Sequence, residues 1–103
     1  MRYISTRGEA PVLAFSDALL AGLARDGGLY VPEVFPALAP QAISTLAGHS
    51  YAEVAGRVIA PFVDSAFTPD VLGPMLEEAY ASFRHPATTP LVQIAPNRFV
   101  LEL

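Results

Sequence analysis

Ser5, Thr6 and Arg7 set two hydroxyls and a guanidinium side by side, with Gly8 next in line. At a strand end such a run can hold a phosphate oxygen, because hydroxyl and guanidinium groups all donate and arginine adds charge. The plainer reading makes Ser5 and Thr6 strand residues and Arg7 a surface charge. Asp26-Gly27-Gly28 is the second candidate. Successive backbone N–H groups in such a turn can form an anion nest. A helix end followed by a turn explains both glycines equally well. His49 and His85 are 36 positions apart in the chain, without the close spacing of a zinc pair. Each reads as a polar residue at a helix boundary. Glu77 and Glu78 are adjacent, so on a helix they point different ways and do not share a proton. Tyr30, Tyr80 and Phe83 could line an aromatic pocket, although their spacing favours core packing.

Other chemistry is excluded by what is missing. All six basic residues are arginines, so the chain has no lysine. A P-loop needs that lysine, and no G-x-G-x-x-G occurs either. The arginines stand singly at 2, 7, 25, 57, 84 and 98 in a chain of net charge -4. No cluster is present to neutralise a row of phosphates, which disfavours nucleic acid as a partner. Without cysteine there is neither a disulfide framework nor a thiolate metal site. This fits a cytoplasmic location. The apolar run from Ala18 to Ala24 is far shorter than the roughly 20 residues that span a bilayer. Polar residues from Ser5 to Glu9 interrupt any signal-peptide pattern.

The elements that must position these residues follow from pattern and punctuation. At 103 residues the chain is one domain or part of one. Its hydrophobic fraction of 52% and charged fraction of 16% depart from the usual roughly 45–50% and 25%. That excess implies surface meant to be covered. Arg2 to Thr6 reads as a short strand, and Gly8 and Pro11 punctuate the loop after it. Ser16 is a candidate N-cap for a helix carrying Leu19, Leu20 and Leu23, ended by Gly27-Gly28. Leu29-Tyr30-Val31 is a short extended piece stopped by Pro32. Pro40 can open a small helix through Leu46, closed by Gly48.

Ser50 and Glu53 have capping-box spacing ahead of a helix with core face Val54, Val58, Ile59 and Phe62. Pro61 should kink or end that helix. Thr68-Pro69-Asp70 starts another, carrying Leu72, Met75, Leu76, Ala79, Tyr80 and Phe83. Gly73-Pro74 either kinks it or marks a turn before a second start. Arg84, His85 and Pro86 close it. Two apolar runs, Pro90–Ile94 and Phe99–Leu103, flank Ala95-Pro96-Asn97-Arg98 as a β-hairpin. Two strands alone are marginal, so the strand near Tyr3 is expected to join them. The expected class is α/β (α+β): helices grouped between an N-terminal strand and a C-terminal hairpin that form one small sheet. The apolar strand at Leu103 carries no polar tail, which leads to the expectation of a truncated chain.

Several blocks occur together in an order that resembles the N-terminal region of threonine synthases. They are Tyr3-Ile-Ser-Thr-Arg-Gly8, Phe15-Ser-Asp-Ala-Leu19 with Gly22-Leu23, and Asp26-Gly-Gly-Leu-Tyr-Val-Pro-Glu33. Weaker matches follow at Tyr51-x-Glu53, Glu78-Ala-Tyr80 with Phe83, and Pro90-Leu91. The resemblance implies a domain over residues 1–103 that stops before the lysine of the cofactor-binding part. It implies an intact enzyme that converts O-phospho-L-homoserine and water to L-threonine and phosphate, with pyridoxal phosphate as electron sink. A pyridoxal-phosphate enzyme needs a Schiff-base lysine, so this chain alone should be inactive and bind no cofactor. No catalytic, cofactor or metal residue carries over. Thr6 and Arg7 remain as candidate contacts to the substrate phosphate. The implied partner is the remainder of the same polypeptide, with self-association of this part through its apolar helix stripes or hairpin edge. A free-standing α/β interaction module is the alternative. A stop codon after Leu103 would favour the alternative; a downstream Phe-His-Gly-Pro-Thr-like stretch and lysine would favour the synthase.

Overall fold

The computed structural model describes residues 1–103. Strand β1 (Arg2–Ser5) is the centre of a three-stranded antiparallel sheet, between β2 (Leu13–Ala14) and β3 (Tyr30–Pro32). Tyr3 faces Leu13 on one side and Pro32 on the other, and Ser5 faces Tyr30. Helix α1 (Phe15–Ala21) follows β2 directly. Ala14 is the N-cap and no side chain caps the helix. Ser16 is therefore already inside the first turn: pairing of β2 with β1, rather than a hydroxyl cap, sets the start.

The helix is also shorter than its leucine pattern implies. It ends at Gly22, whose φ of 67° only glycine adopts readily. Leu23 then bridges back to Leu29. Gly27-Gly28 thus shape a separate turn, not the helix end.

The small helix α2 (Pro40–Ser44) forms at the expected place. Helix α3 (Tyr51–Val63) opens with the expected reciprocal cap: Glu53 N–H donates to Ser50 Oγ, and Ser50 N–H donates to the Glu53 carboxylate. Pro61 lies in its last turn; the helix ends at Val63 and a 3₁₀ turn (Asp64–Ala66) follows. Helix α4 (Pro69–Ala81) begins with proline in its first turn and runs through Gly73-Pro74 as one assigned helix. It ends before Arg84 and His85.

Val63, Leu72 and Leu76 form the core where α3 and α4 pack, with Ala52, Ala55, Ile59, Phe67 and Tyr80 around them. Of the expected face of α3, Val54, Ile59 and Phe62 are half-buried, and only Val58 is exposed, at 41%. Small residues, Ala52, Ala55 and Gly56, take the contact face and let α4 approach. Tyr3 links sheet and helices: its hydroxyl donates to the Phe62 carbonyl at 2.9 Å, one of the carbonyls a helix end leaves unpaired. Burial raises its pKa. Phe15 stacks between Tyr3 and Phe67, with ring centroids 5.9 and 6.1 Å away.

The hairpin β4 (Leu91–Ala95) and β5 (Arg98–Leu101) forms a separate two-stranded sheet. The mixed α/β class holds, but the single sheet does not. β1 finds both its neighbours within the first third of the chain, so neither edge is left for the hairpin. No helix is long and apolar enough to cross a membrane.

Candidate functional site

Both sequence candidates from the first third of the chain meet in one place. Ser5 ends β1, and the turn around Asp26 leads into β3, which pairs with β1. The Asp26 carboxylate accepts four hydrogen bonds. Ser5 Oγ donates to Oδ1 at 2.8 Å and Gly28 N–H at 2.9 Å. On Oδ2, Glu9 N–H donates at 3.0 Å and Ala10 N–H at 2.9 Å. One side chain therefore ties three segments: the strand end, the loop after it and its own turn. Partial desolvation pushes this carboxyl upward, but the bonds from Gly28, Ser5, Glu9 and Ala10 outweigh it and hold the pKa below the ordinary value.

The neighbouring candidates are built around that carboxylate. Ser5 is buried, and its Oγ also accepts from Arg7 N–H at 3.1 Å. Thr6 Oγ1 accepts from Leu29 N–H at 3.0 Å, while Thr6 N–H donates to Leu29 O at 2.9 Å. Arg7 Nη1 donates to the Asp26 carbonyl at 2.9 Å. Both glycines leave necessary space. A Cβ on Gly27 would sit 2.7 Å from Arg7 Nη1. One on Gly28 would intrude on Ser5 Oγ and stand 3.0 Å from Thr6 Oγ1. Gly27 also has φ +79°, a conformation that costs other residues.

This geometry sorts the readings. Gly28 N–H is occupied by Asp26, so the turn is an Asx turn closed by its own carboxylate, not an open anion nest. Thr6 and Arg7 are exposed. Thr6 uses its hydroxyl as an acceptor and keeps its hydrogen, and Arg7 commits one N–H and keeps the others. Sequence reading missed the hub role of Asp26. Asp-Gly-Gly signals an Asx turn, but nothing in the spacing ties it to Ser5, Glu9 and Ala10.

The remaining candidates do not converge. His49 lies 3.6 Å from Glu53 and 3.0 Å from Arg57, whereas His85 accepts from Ala87 N–H at 3.1 Å. No three His, Asp or Glu side chains gather as a metal site. Tyr80 packs edge-on to Phe83 at 5.7 Å and to Tyr51 at 4.7 Å. Tyr30 is elsewhere, donating its hydroxyl hydrogen to Pro11 O at 3.2 Å. A hollow of about 420 Å³ lies between α3 and α4 and includes neither Thr6 nor Arg7 in its lining.

The family model for the threonine synthase N terminus matches residues 2–80. Threonine synthase of Pseudomonas aeruginosa is 52% identical over the whole chain, which spans 22% of that protein. The Schizosaccharomyces pombe enzyme is 38% identical over 98% of the chain and 20% of its own length. The crystal structure of PLP-bound threonine synthase from Brucella melitensis superposes with a TM-score of 0.91 at 55% identity, covering 98% of this chain and 22% of that one. The chain thus spans about a fifth of the length of the relatives it matches.

Proposed function

Because the chain belongs to the threonine synthase family and matches its N-terminal region, we propose that it is the N-terminal domain of a longer, pyridoxal-phosphate-dependent lyase. That enzyme converts O-phospho-L-homoserine and water to L-threonine and phosphate in the cytoplasm. The observation that carries this reading is identity of 52% along the entire chain to a threonine synthase. A relative at 55% identity is described as PLP-bound. With no lysine, this chain cannot itself form the cofactor's Schiff base. Its residues fit a scaffold, and residues 1–103 alone do not catalyse.

Within that scaffold Thr6 and Arg7 are the groups offered to substrate. The Asp26 hub fixes the backbone beneath them and leaves their remaining donors outward, suited to the oxygens of a phosphate ester. Their part is to bind and orient the phosphate, not to move a proton. The test is the full-length polypeptide supplied with O-phospho-L-homoserine. Phosphate release coupled to threonine formation supports the reading; no such activity in folded, cofactor-loaded enzyme overturns it. Arg7→Ala should raise KM for the substrate by about tenfold or more, the loss of a charge-assisted hydrogen bond. An unchanged KM removes Arg7 from the site.

A further inference from the structure

The hairpin of β4 and β5 has an unusual surface. In its register Leu91 faces Leu101 and Gln93 faces Phe99, while Val92 faces Val100. Successive side chains alternate between faces. One face therefore carries Leu91, Phe99 and Leu101 beside Gln93, and the other Val92, Val100 and Ile94, at the irregularity before Ala95, beside Arg98. Both faces are open: Leu91 is 63% exposed, Ile94 64%, Phe99 53% and Leu101 53%. Contacts between β4 and β5 dominate, and neither strand packs substantially on a helix or on the other sheet.

Solvated antiparallel strands ordinarily turn one polar face to water, whereas strands apolar on both sides belong to sheets covered on both sides. The β4 edge is equally unguarded, whereas β5 carries Arg98. No charged residue lies within Leu91–Ala95, and charge is the usual device that keeps an edge from pairing. A two-stranded sheet is marginal by itself.

We propose that this hairpin is a two-faced docking arm, covered on both faces and extended along an edge by the remainder of the same polypeptide. The proposal rests on the reading of the chain as the N-terminal domain of a longer synthase. The occupant follows from number and length. A second copy pairing edge to edge would complete one edge and leave both faces wet. Two faces require two layers, and more than three-quarters of each relative's length lies outside the match.

The experiment uses the full-length enzyme carrying Ile94→Cys or Phe99→Cys, one probe per face. Thiol labelling is read peptide by peptide against the urea-unfolded protein. Protection of at least 100-fold at both positions, independent of protein concentration, is expected. Labelling at the unfolded rate at either position overturns the arm. Protection that disappears on dilution to monomers assigns the cover to a second copy and also overturns it.

Hydrogen exchange on the unsubstituted enzyme guards against a variant that fails to fold. Amides along one hairpin edge that lack a partner within the hairpin should exchange slowly, and fast exchange at both edges counts against the arm. Threonine formation is measured on the same samples. An active enzyme with a free hairpin sinks the arm and leaves the functional reading. An inactive enzyme with a covered hairpin does the reverse.

Discussion

The Asp26 turn and the C-terminal hairpin are built on opposite principles. At the turn, a carboxylate, two hydroxyls and a guanidinium find their main partners within residues 5–29. At the hairpin, the backbone pairs internally while the apolar side chains remain open on both sides. Polar groups need partners at hydrogen-bond distance, so a self-contained polar knot must be complete in the chain that carries it. Apolar burial is non-directional and follows area removed from water, so it can be left for another part of the polypeptide to supply. The turn should thus feel mutation in this chain alone, and the hairpin only in the full-length enzyme.

The sharpest way to break the turn is Gly28→Ala. The new methyl would press on Ser5 Oγ and stand 3.1 Å from Asp26 Oδ1. Overpacking of this kind costs about 1–3 kcal/mol, and here the upper end is expected because the hub bonds are displaced as well. Urea unfolding of the 103-residue chain measures it. Gly73→Ala is the paired control: nothing lies within 4 Å of its Cβ position inside α4. Alanine there should stabilise by about 0.8 kcal/mol.

Asp26→Asn is the next test, because it keeps the shape and removes the charge. An amide must turn its donor toward either Oδ1's partners or the Glu9 and Ala10 N–H groups, leaving donors facing donors. A lower melting temperature at pH 7 is expected. The pH dependence has a definite sign. The folded-state pKa is depressed, so the stabilisation is fully present above the unfolded value of about 3.9. It is lost as pH falls through the lower folded value. The gap between wild type and Asp26→Asn should therefore narrow below about pH 4. A constant gap down to pH 2 would show that charge is not what the hub uses.

A smaller effect belongs to the α3 cap. Ser50→Ala removes one half of the reciprocal pair with Glu53 and should cost about 1 kcal/mol. The Ser50 backbone N–H, and after it the Ser50 hydroxyl, hold the Glu53 carboxyl below its ordinary pKa; alanine keeps the N–H, so the variant should bring that carboxyl only part of the way back toward normal in an NMR titration.

These contrasts also explain what could be read in advance. Caps and breakers are local, so the Ser50–Glu53 box, the Thr68-Pro69 start and the hairpin turn were visible in residue order. Pairing is not local. β2 is two residues long and exists because Leu13 and Ala14 meet β1, which also moves the start of α1 ahead of Ser16. The same competition kept β1 from the hairpin, since β2 and β3 already fill its edges. The leucines of α1 suggested a longer helix, but Leu19, Leu20 and Leu23 are exposed and supply no packing to carry it past Gly22. For the site, residues 5–8 and 26–28 were each legible as polar clusters. That a single carboxylate joins them depends on antiparallel pairing of β1 with β3.

The least effect in this chain, and the most informative, is expected from Phe99→Thr. Threonine keeps β-propensity, and Phe99 is 53% exposed on an open face. Little burial is lost, so the 103-residue chain should unfold within about 0.5 kcal/mol of wild type, as surface substitutions do. In the full-length enzyme the same ring would be covered by the docking layer. Truncating it there should cost about 3 kcal/mol or more, the range of large aromatic deletions from a core. Ile94→Thr on the opposite face should behave alike. If either substitution is as mild in the full-length enzyme as in the short chain, that face is not covered, and the hairpin has one docking side rather than two.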